Sequence, residues 1–313
     1  MTPTDTRSGR IDWMDALRGI AVTMVVFEHA IRFTRRIGFE VPTWVDLLSD
    51  MLNPVRMPAM AFLAGLLLQH ALAKGAATFV GGKLRNILWP FLVWSVVYSA
   101  MLVLAGGTSG QDHDWVLFLR ILDDPPGHMW FLRDLFLFFM LMLALRRVPR
   151  LPIAVAALAL SAVAMAFAEV DNNNQQTPRF LFLLAFFVLG DWAAAHRDRW
   201  PQVLERPLPV ALAIAAMAAS LPVAMAFGNV RYEIGSLPLV VAGIVCLTLV
   251  ARAACRSPLS GPLRFLGRDS LVVYVIHWLI LAVVVTAFDT LLPATPGGVV
   301  VATGLVVAVA GST

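Results

Sequence analysis

Charge is what this chain has least of. Of 313 residues, 24 are Lys or Arg and 20 are Asp or Glu, together 14%, where a soluble domain carries about 25%. A water-soluble globule needs a polar coat, and 59% apolar residues leave too little material for one. A soluble enzyme and a secreted scaffold are excluded on that ground. Cysteine is scarce as well. Cys246 and Cys255 lie in or beside one apolar run and form no CxxC or Cys/His cluster, so neither a disulfide framework nor a metal site is expected. No Gly-rich phosphate loop of the Walker or Rossmann kind occurs, and no internal repeat is evident. The pI near 9.6 accompanies a net charge of only +4. With no basic cluster to go with it, that balance reads as topology charge, and no nucleic-acid partner is expected.

What the chain does have is apolar runs long enough to cross lipid. The hydropathy pattern predicts an all-α, polytopic membrane protein of about ten transmembrane helices. The spans fall near 14–31, 54–72, 87–105, 129–145, 151–168, 179–195, 208–227, 236–254, 270–288 and 297–312. Trp44, Trp89, Trp115, Trp130 and Trp200 fall near span ends, as interfacial belts require. The first span carries Asp15, Arg18, Glu28 and His29, which the core of a cleavable signal would not tolerate. The expected organisation is one integral-membrane domain over 1–313, with 1–13 as a tail and no additional soluble domain.

Lys and Arg in the connections set the orientation. One side collects Arg7 and Arg10, then Lys74, Lys83 and Arg85, then Arg146, Arg147 and Arg150. It continues with Arg197, Arg199 and Arg206, and ends with Arg252, Arg256, Arg264 and Arg268. The other side has Arg32, Arg35, Arg36, Arg120, Arg179 and Arg231. This bias places both termini in the cytoplasm. The long connections 32–53 and 106–128 then lie outside. The second is acidic (Asp112, Asp114, Asp123, Asp124) and is explained as a solvated loop.

The first span holds the sharpest signal. A buried ionisable group costs about 2.5–3.5 kcal/mol at a helix centre. At helical pitch Arg18 and His29 lie about 20° from alignment and about 16 Å apart along the axis. Asp15, Arg18, Val22, Val25, His29 and Arg32 therefore form one stripe. Asp15 and Arg18, at i,i+3, can neutralise each other. Glu28 points about 100° away from His29 and cannot easily orient it.

Elsewhere each polar position has a structural and a functional reading. Ser270, Tyr274 and His277 share one face of the ninth span, and His277 would lie near mid-membrane. It is either a core histidine satisfied by tyrosine or a site group. His128, Trp130, Arg133 and Asp134 cluster at the outer end of the fourth span. Trp130 reads first as an interface anchor, and His128 and Arg133 are candidates to line a substrate site. Arg56 and Pro58 begin the second span, where Ala61 and Gly65 form a small-xxx-small pair suited to helix packing. Lys83 and Arg85 flank the entry to the third span. Positive-inside retention explains them, with contact to the phosphates of a nucleotide-bearing donor as the alternative.

The run Arg18-x10-His29 within DALRGIAVTMVVFEHA resembles the opening signature of the acyltransferase 3 family, integral-membrane O-acyltransferases. MPAMAFLAGLLL (57–68) is similar to the family's second-helix segment, with Ala64 where a serine is common. KLRNILWPFLVW (83–94), GHMWFLRDLFLFF (127–139) and LGRDSLVVYVIHWLI (266–280) resemble later segments, in the expected order. The resemblance implies acyl transfer from a cytoplasmic acyl-CoA to a hydroxyl of a carbohydrate or other acceptor, in a bacterial inner membrane. Acyl-CoA is then the donor substrate, and no permanently bound cofactor is expected. An alcohol is a poor nucleophile at neutral pH, so the reaction needs a base within hydrogen-bond reach. His29 is the expected catalytic group, as general base or as covalent acyl carrier. Arg18 is expected to serve it from the donor side. Asp15, Glu28, Arg56, Lys83, Arg85, His128, Trp130, Arg133, Tyr274 and His277 are donor- or acceptor-binding candidates. The competing class is a transporter or flippase for an anionic or sugar substrate, against which the missing repeat symmetry argues.

Overall fold

The computed structural model describes residues 12–109, 115–167, 176–196, 199, 204–227 and 231–312. Residues 1–11 of the expected tail, with Arg7 and Arg10, lie outside them, as do Asp112, Asp114, Arg197 and Trp200. Among the described residues every regular element is helical and there is no strand.

In chain order the helices are α1 (Asp12–Arg36), α2 (Thr43–Gly65), α3 (Leu68–Leu72), α4 (Ala76–Lys83), α5 (Trp89–Ser109), α6 (Val116–Leu119) and α7 (Trp130–Ala144). There follow α8 (Arg150–Phe167), α9 (Gln176–Ala195), α10 (Pro207–Phe227), α11 (Leu237–Ala254), α12 (Ser260–Arg268), α13 (Ser270–Leu291) and α14 (Gly297–Gly311). Six helical stretches among the described residues are long and apolar enough to cross a membrane: Thr43–Leu72, Ala76–Leu104, Arg150–Phe167, Gln176–Ala195, Ile234–Ala254 and Ser270–Leu291. The four other expected spans are helices at the expected places that fall short on length or charge. α1 has 25 residues but carries charges along its length, and α7 has only 15. The described apolar stretches Pro207–Val223 and Gly297–Gly311 are also short of the 18 residues a span needs.

Two expected boundaries are corrected. The connection expected over 32–53 is mostly helix, because α1 runs to Arg36 and α2 starts at Thr43. The dip in hydropathy at Asp46, Ser49 and Asp50 is a polar helix face, not a loop. Asp46 pairs with Arg35, and the Ser49 hydroxyl donates to Glu28. Arg56 is consequently well inside a helix rather than at its start. α1 itself ends on a left-handed glycine, Gly38 at φ 90°, whose N–H bonds the Arg35 carbonyl.

The second correction concerns the third span, which begins at Ala76, so Lys83 and Arg85 are helical and not loop residues. Pro90 has no N–H and its ring crowds the Asn86 carbonyl. The helix answers by widening into a π turn over Leu84–Leu88 and then continues as α5.

The helices group into two compact units, one of Met1–Met60 with Asp198–Thr313 and the other of Ala61–Arg197. In the first, α1 is the central element and packs against α11, α12, α13 and α14. Its contact with α12 is backbone to backbone. A Cβ on Gly19 would lie 2.2 Å from the Leu263 carbonyl oxygen, and one on Gly267 would lie 1.8 Å from that of Asp15. In the second unit α8 and α9 pair, and α9 also meets α3 and α7. There Gly65 and Gly190 let α2 and α9 touch: a Cβ on Gly65 would lie 1.9 Å from the Phe187 carbonyl oxygen. The small-residue pair read from the sequence is thus a packing device.

Candidate active site

α1 presents its stripe to the protein interior over part of its length. Asp15, Val22 and Val25 are buried, Arg18 and His29 half-buried, and Arg32 exposed. At the start of the helix Asp15 lies 3.9 Å from Arg18, as the i,i+3 spacing predicts, and 3.6 Å from Arg268 on α12. One turn earlier Arg264 of α12 meets Asp12 at 2.8 Å. This end of the unit is therefore a braid of two acids and three arginines.

Eleven residues along, His29 meets α13. The indole Nε1 of Trp278 donates to Nδ1 of His29 at 3.1 Å. The His277 ring lies beside it, with centroids 5.2 Å apart and planes at 42°. His277 is fully buried and its Nδ1 donates to the Val273 carbonyl, one turn back on its own helix, at 3.0 Å. Tyr274 is buried with its ring centroid 6.0 Å from that of His277. The structure thus brings His29, His277 and Tyr274 together.

Glu28 has a separate task, as its direction predicts. Its carboxylate accepts from Arg32 Nε at 2.7 Å and from the Ser49 hydroxyl, and lies 3.3 Å from Arg56. Arg56, 4% exposed, also donates to the Ser49 carbonyl at 3.3 Å. Glu28 and Arg56 therefore tie α1 to α2 one residue away from His29.

The remaining candidates belong to the second unit. Arg133 bonds Asp134 Oδ1 at 2.9 Å and the carbonyls of Leu122 and Asp123. Its donors hold the connection before α7 in place. Arg179 approaches Asp134 at 4.0 Å and lies over the Trp130 ring at 3.8 Å. Trp130, expected as an interface anchor, is capped by a guanidinium. His128 is buried against Tyr98, with ring centroids 5.3 Å apart. Lys83 sits over the Phe139 ring at 3.3 Å, while Arg85 on the π turn is exposed.

A family model described as an acyltransferase domain matches residues 11–313. The chain belongs to the acyltransferase 3 family. Neither the curated proteins nor the solved structures yield a match. Family and helices together make this a multi-pass membrane protein of an acyltransferase family, and within it the Arg18-x10-His29 pair stands on α1.

Sequence reasoning missed Trp278, the group that orients His29. The signal was available: Trp278 lies in the middle of an apolar helix, away from either end, and a buried indole N–H asks for a partner. Arg268 and Ser49 were missed because their partners are set by helix packing that spacing along one helix does not reveal.

Proposed function

We propose that this protein is an O-acyltransferase that moves an acyl group, acetyl in the simplest case, from cytoplasmic acyl-CoA to a hydroxyl of a carbohydrate or related acceptor. The observation that carries the reading is the His29 imidazole of a family acyltransferase. It is held by an indole N–H and lies against a second imidazole. His29 serves as general base or as acyl carrier, since both roles need a ring nitrogen presented in a fixed direction. Arg18 serves from the donor side, where Arg264 and Arg268 add positive charge suited to an anionic nucleotide. Glu28 and Arg56 position α1 at the acceptor end. Ten spans with both termini in the cytoplasm of a bacterial inner membrane fit the cation bias and let donor and acceptor approach from opposite sides.

The test uses purified protein in sealed vesicles, labelled acetyl-CoA and a cell-surface glycan extract. Acyl transfer leaves ester-linked label on the glycan, and only when acetyl-CoA is supplied. A glycan that crosses the vesicle membrane without esterification would instead identify a transporter.

A further inference from the structure

A base or a nucleophile works through a lone pair, and the structure shows what holds the lone pair of His29. An indole N–H only donates, so Nδ1 of His29, 3.1 Å from Trp278 Nε1, accepts. A neutral imidazole has one N–H and one in-plane lone pair, so its N–H is then on Nε2. In this arrangement His29 can take a proton or attack a carbonyl carbon only at Nδ1, the atom the indole covers. The indole stands at the edge of the packed region. Tyr274 and His277, one turn and one residue back on α13, are buried, whereas Trp278 and His29 are half-buried. Phe33, one turn after His29 on α1, meets the indole edge-on with ring centroids 5.2 Å apart. Trp278 therefore lies along α1 over both His29 and Phe33.

We propose that Trp278 is a specificity-determining residue, which keeps the His29 lone pair from water until an acceptor hydroxyl takes the indole's place. This rests on His29 being the acyl-transfer group and says when that group is allowed to act. Uncovering Nδ1 breaks a neutral hydrogen bond, which disfavours the open site on the order of tenfold. A sugar-like acceptor offsets that through contacts away from its reacting oxygen, and a single water has none to offer. Once the indole has turned aside, the acceptor O–H gives its proton to Nδ1. The hydroxyl oxygen bonds to the acyl carbon, the carbon–sulfur bond breaks, and its electron pair leaves on sulfur. Nδ1 then hands its proton to that sulfur, the Nε2 proton stays in place, and the indole returns. Thioester and alcohol become ester and thiol, with no other reactant. In the covalent variant Nδ1 itself attacks the acyl carbon, so the indole must move for that step too. Water at an uncovered Nδ1 would follow the same course and turn the thioester into acid and thiol. That wasteful reaction is what the indole suppresses.

The experiment compares CoA released with ester formed, using the full-length protein in vesicles, labelled acetyl-CoA and the cell-surface glycan extract. In the wild type the two amounts should match, and little CoA should appear without glycan. Trp278→Phe keeps an aromatic ring and removes the N–H. It should raise CoA release without glycan on the order of tenfold, and leave CoA in excess over ester when glycan is present. Adding His29→Gln to Trp278→Phe should return that release to background. Nitrogen NMR of the histidine-labelled wild type in lipid reads the resting ring, with the His29 signals identified by their loss in His29→Gln. Nδ1 should be unprotonated and Nε2 protonated. A protonated Nδ1 at rest overturns the proposal, whether or not Trp278→Phe folds. If Trp278→Phe folds and loses ester formation and CoA release together, the indole serves the reaction and does not guard it. If Trp278→Phe matches the wild type in both while His29→Gln is inactive, the guard fails and the acyl-transfer reading stands. If His29→Gln forms ester at full rate, that reading fails and the guard falls with it.

Discussion

Around His29 the buried polar groups meet as neutral donor and acceptor, an indole N–H on one imidazole and a backbone carbonyl under the next. Around Asp134 and Asp191 they meet as full charges. Asp134 is held by Arg133 at 2.9 Å, and Asp191 by Arg150 at 2.5 Å. Both carboxylates are entirely inaccessible. The difference separates chemistry from architecture. A guanidinium keeps its proton throughout the accessible pH range, so a buried Arg–Asp pair is a lock that cannot enter a proton transfer. Arg150 also bonds the carbonyls of Leu145 and Val148, which pins the turn between α7 and α8. It is joinery throughout.

The widest break in this comparison comes from removing chemistry and leaving architecture. His29→Ala should reduce acyl transfer by about 100- to 10,000-fold, and Arg18→Ala should also abolish it. Both proteins should keep wild-type membrane insertion and thermal stability, checked by flotation and by melting in detergent. Next comes the reverse experiment. Asp191→Ala leaves the Arg150 guanidinium without its buried counter-charge and should cost about 3–5 kcal/mol of stability, read as a lower melting temperature, while the protein that remains folded keeps its rate. A smaller loss is expected where the backbones touch. Gly267→Ala forces a Cβ against the Asp15 carbonyl and should cost about 1–3 kcal/mol, and it should perturb the Asp15–Arg268 contact as well. The smallest effect belongs to Arg120, whose pairs with Asp123 and Asp124 are exposed. Arg120→Ala should change stability by less than about 1 kcal/mol.

Much of this fold was legible as hydropathy. The ends of α7, α8, α10 and α11 fall within a few residues of the expected spans because apolar runs there coincide with whole helices. The start of α2 was not legible. Its first two turns are polar, and their satisfaction by Arg35 and Glu28 depends on a neighbouring helix. Nor was the early start of the third span, where Lys83 and Arg85 looked like loop cations until Lys83 found an aromatic ring. In the site, helical periodicity gave the Arg18–His29 stripe and the separate direction of Glu28 from a single helix. What it could not give is any pairing across helices. Trp278 on His29 and Arg268 on Asp15 come from how α13 and α12 lie on α1. Trp130, read first as an interface anchor, lies under the Arg179 guanidinium, and Arg133, a candidate to line a substrate site, bonds the Leu122 carbonyl; neither contact is legible from one helix alone.

The most direct measurement sets His29→Ala beside Asp191→Ala and counts ester bonds formed from labelled acetyl-CoA per folded molecule. If the neutral imidazole cluster performs the transfer and the charged pair only holds helices together, ester formation disappears in the first and persists in the second. Ester formation by His29→Ala at the wild-type rate would contradict the account.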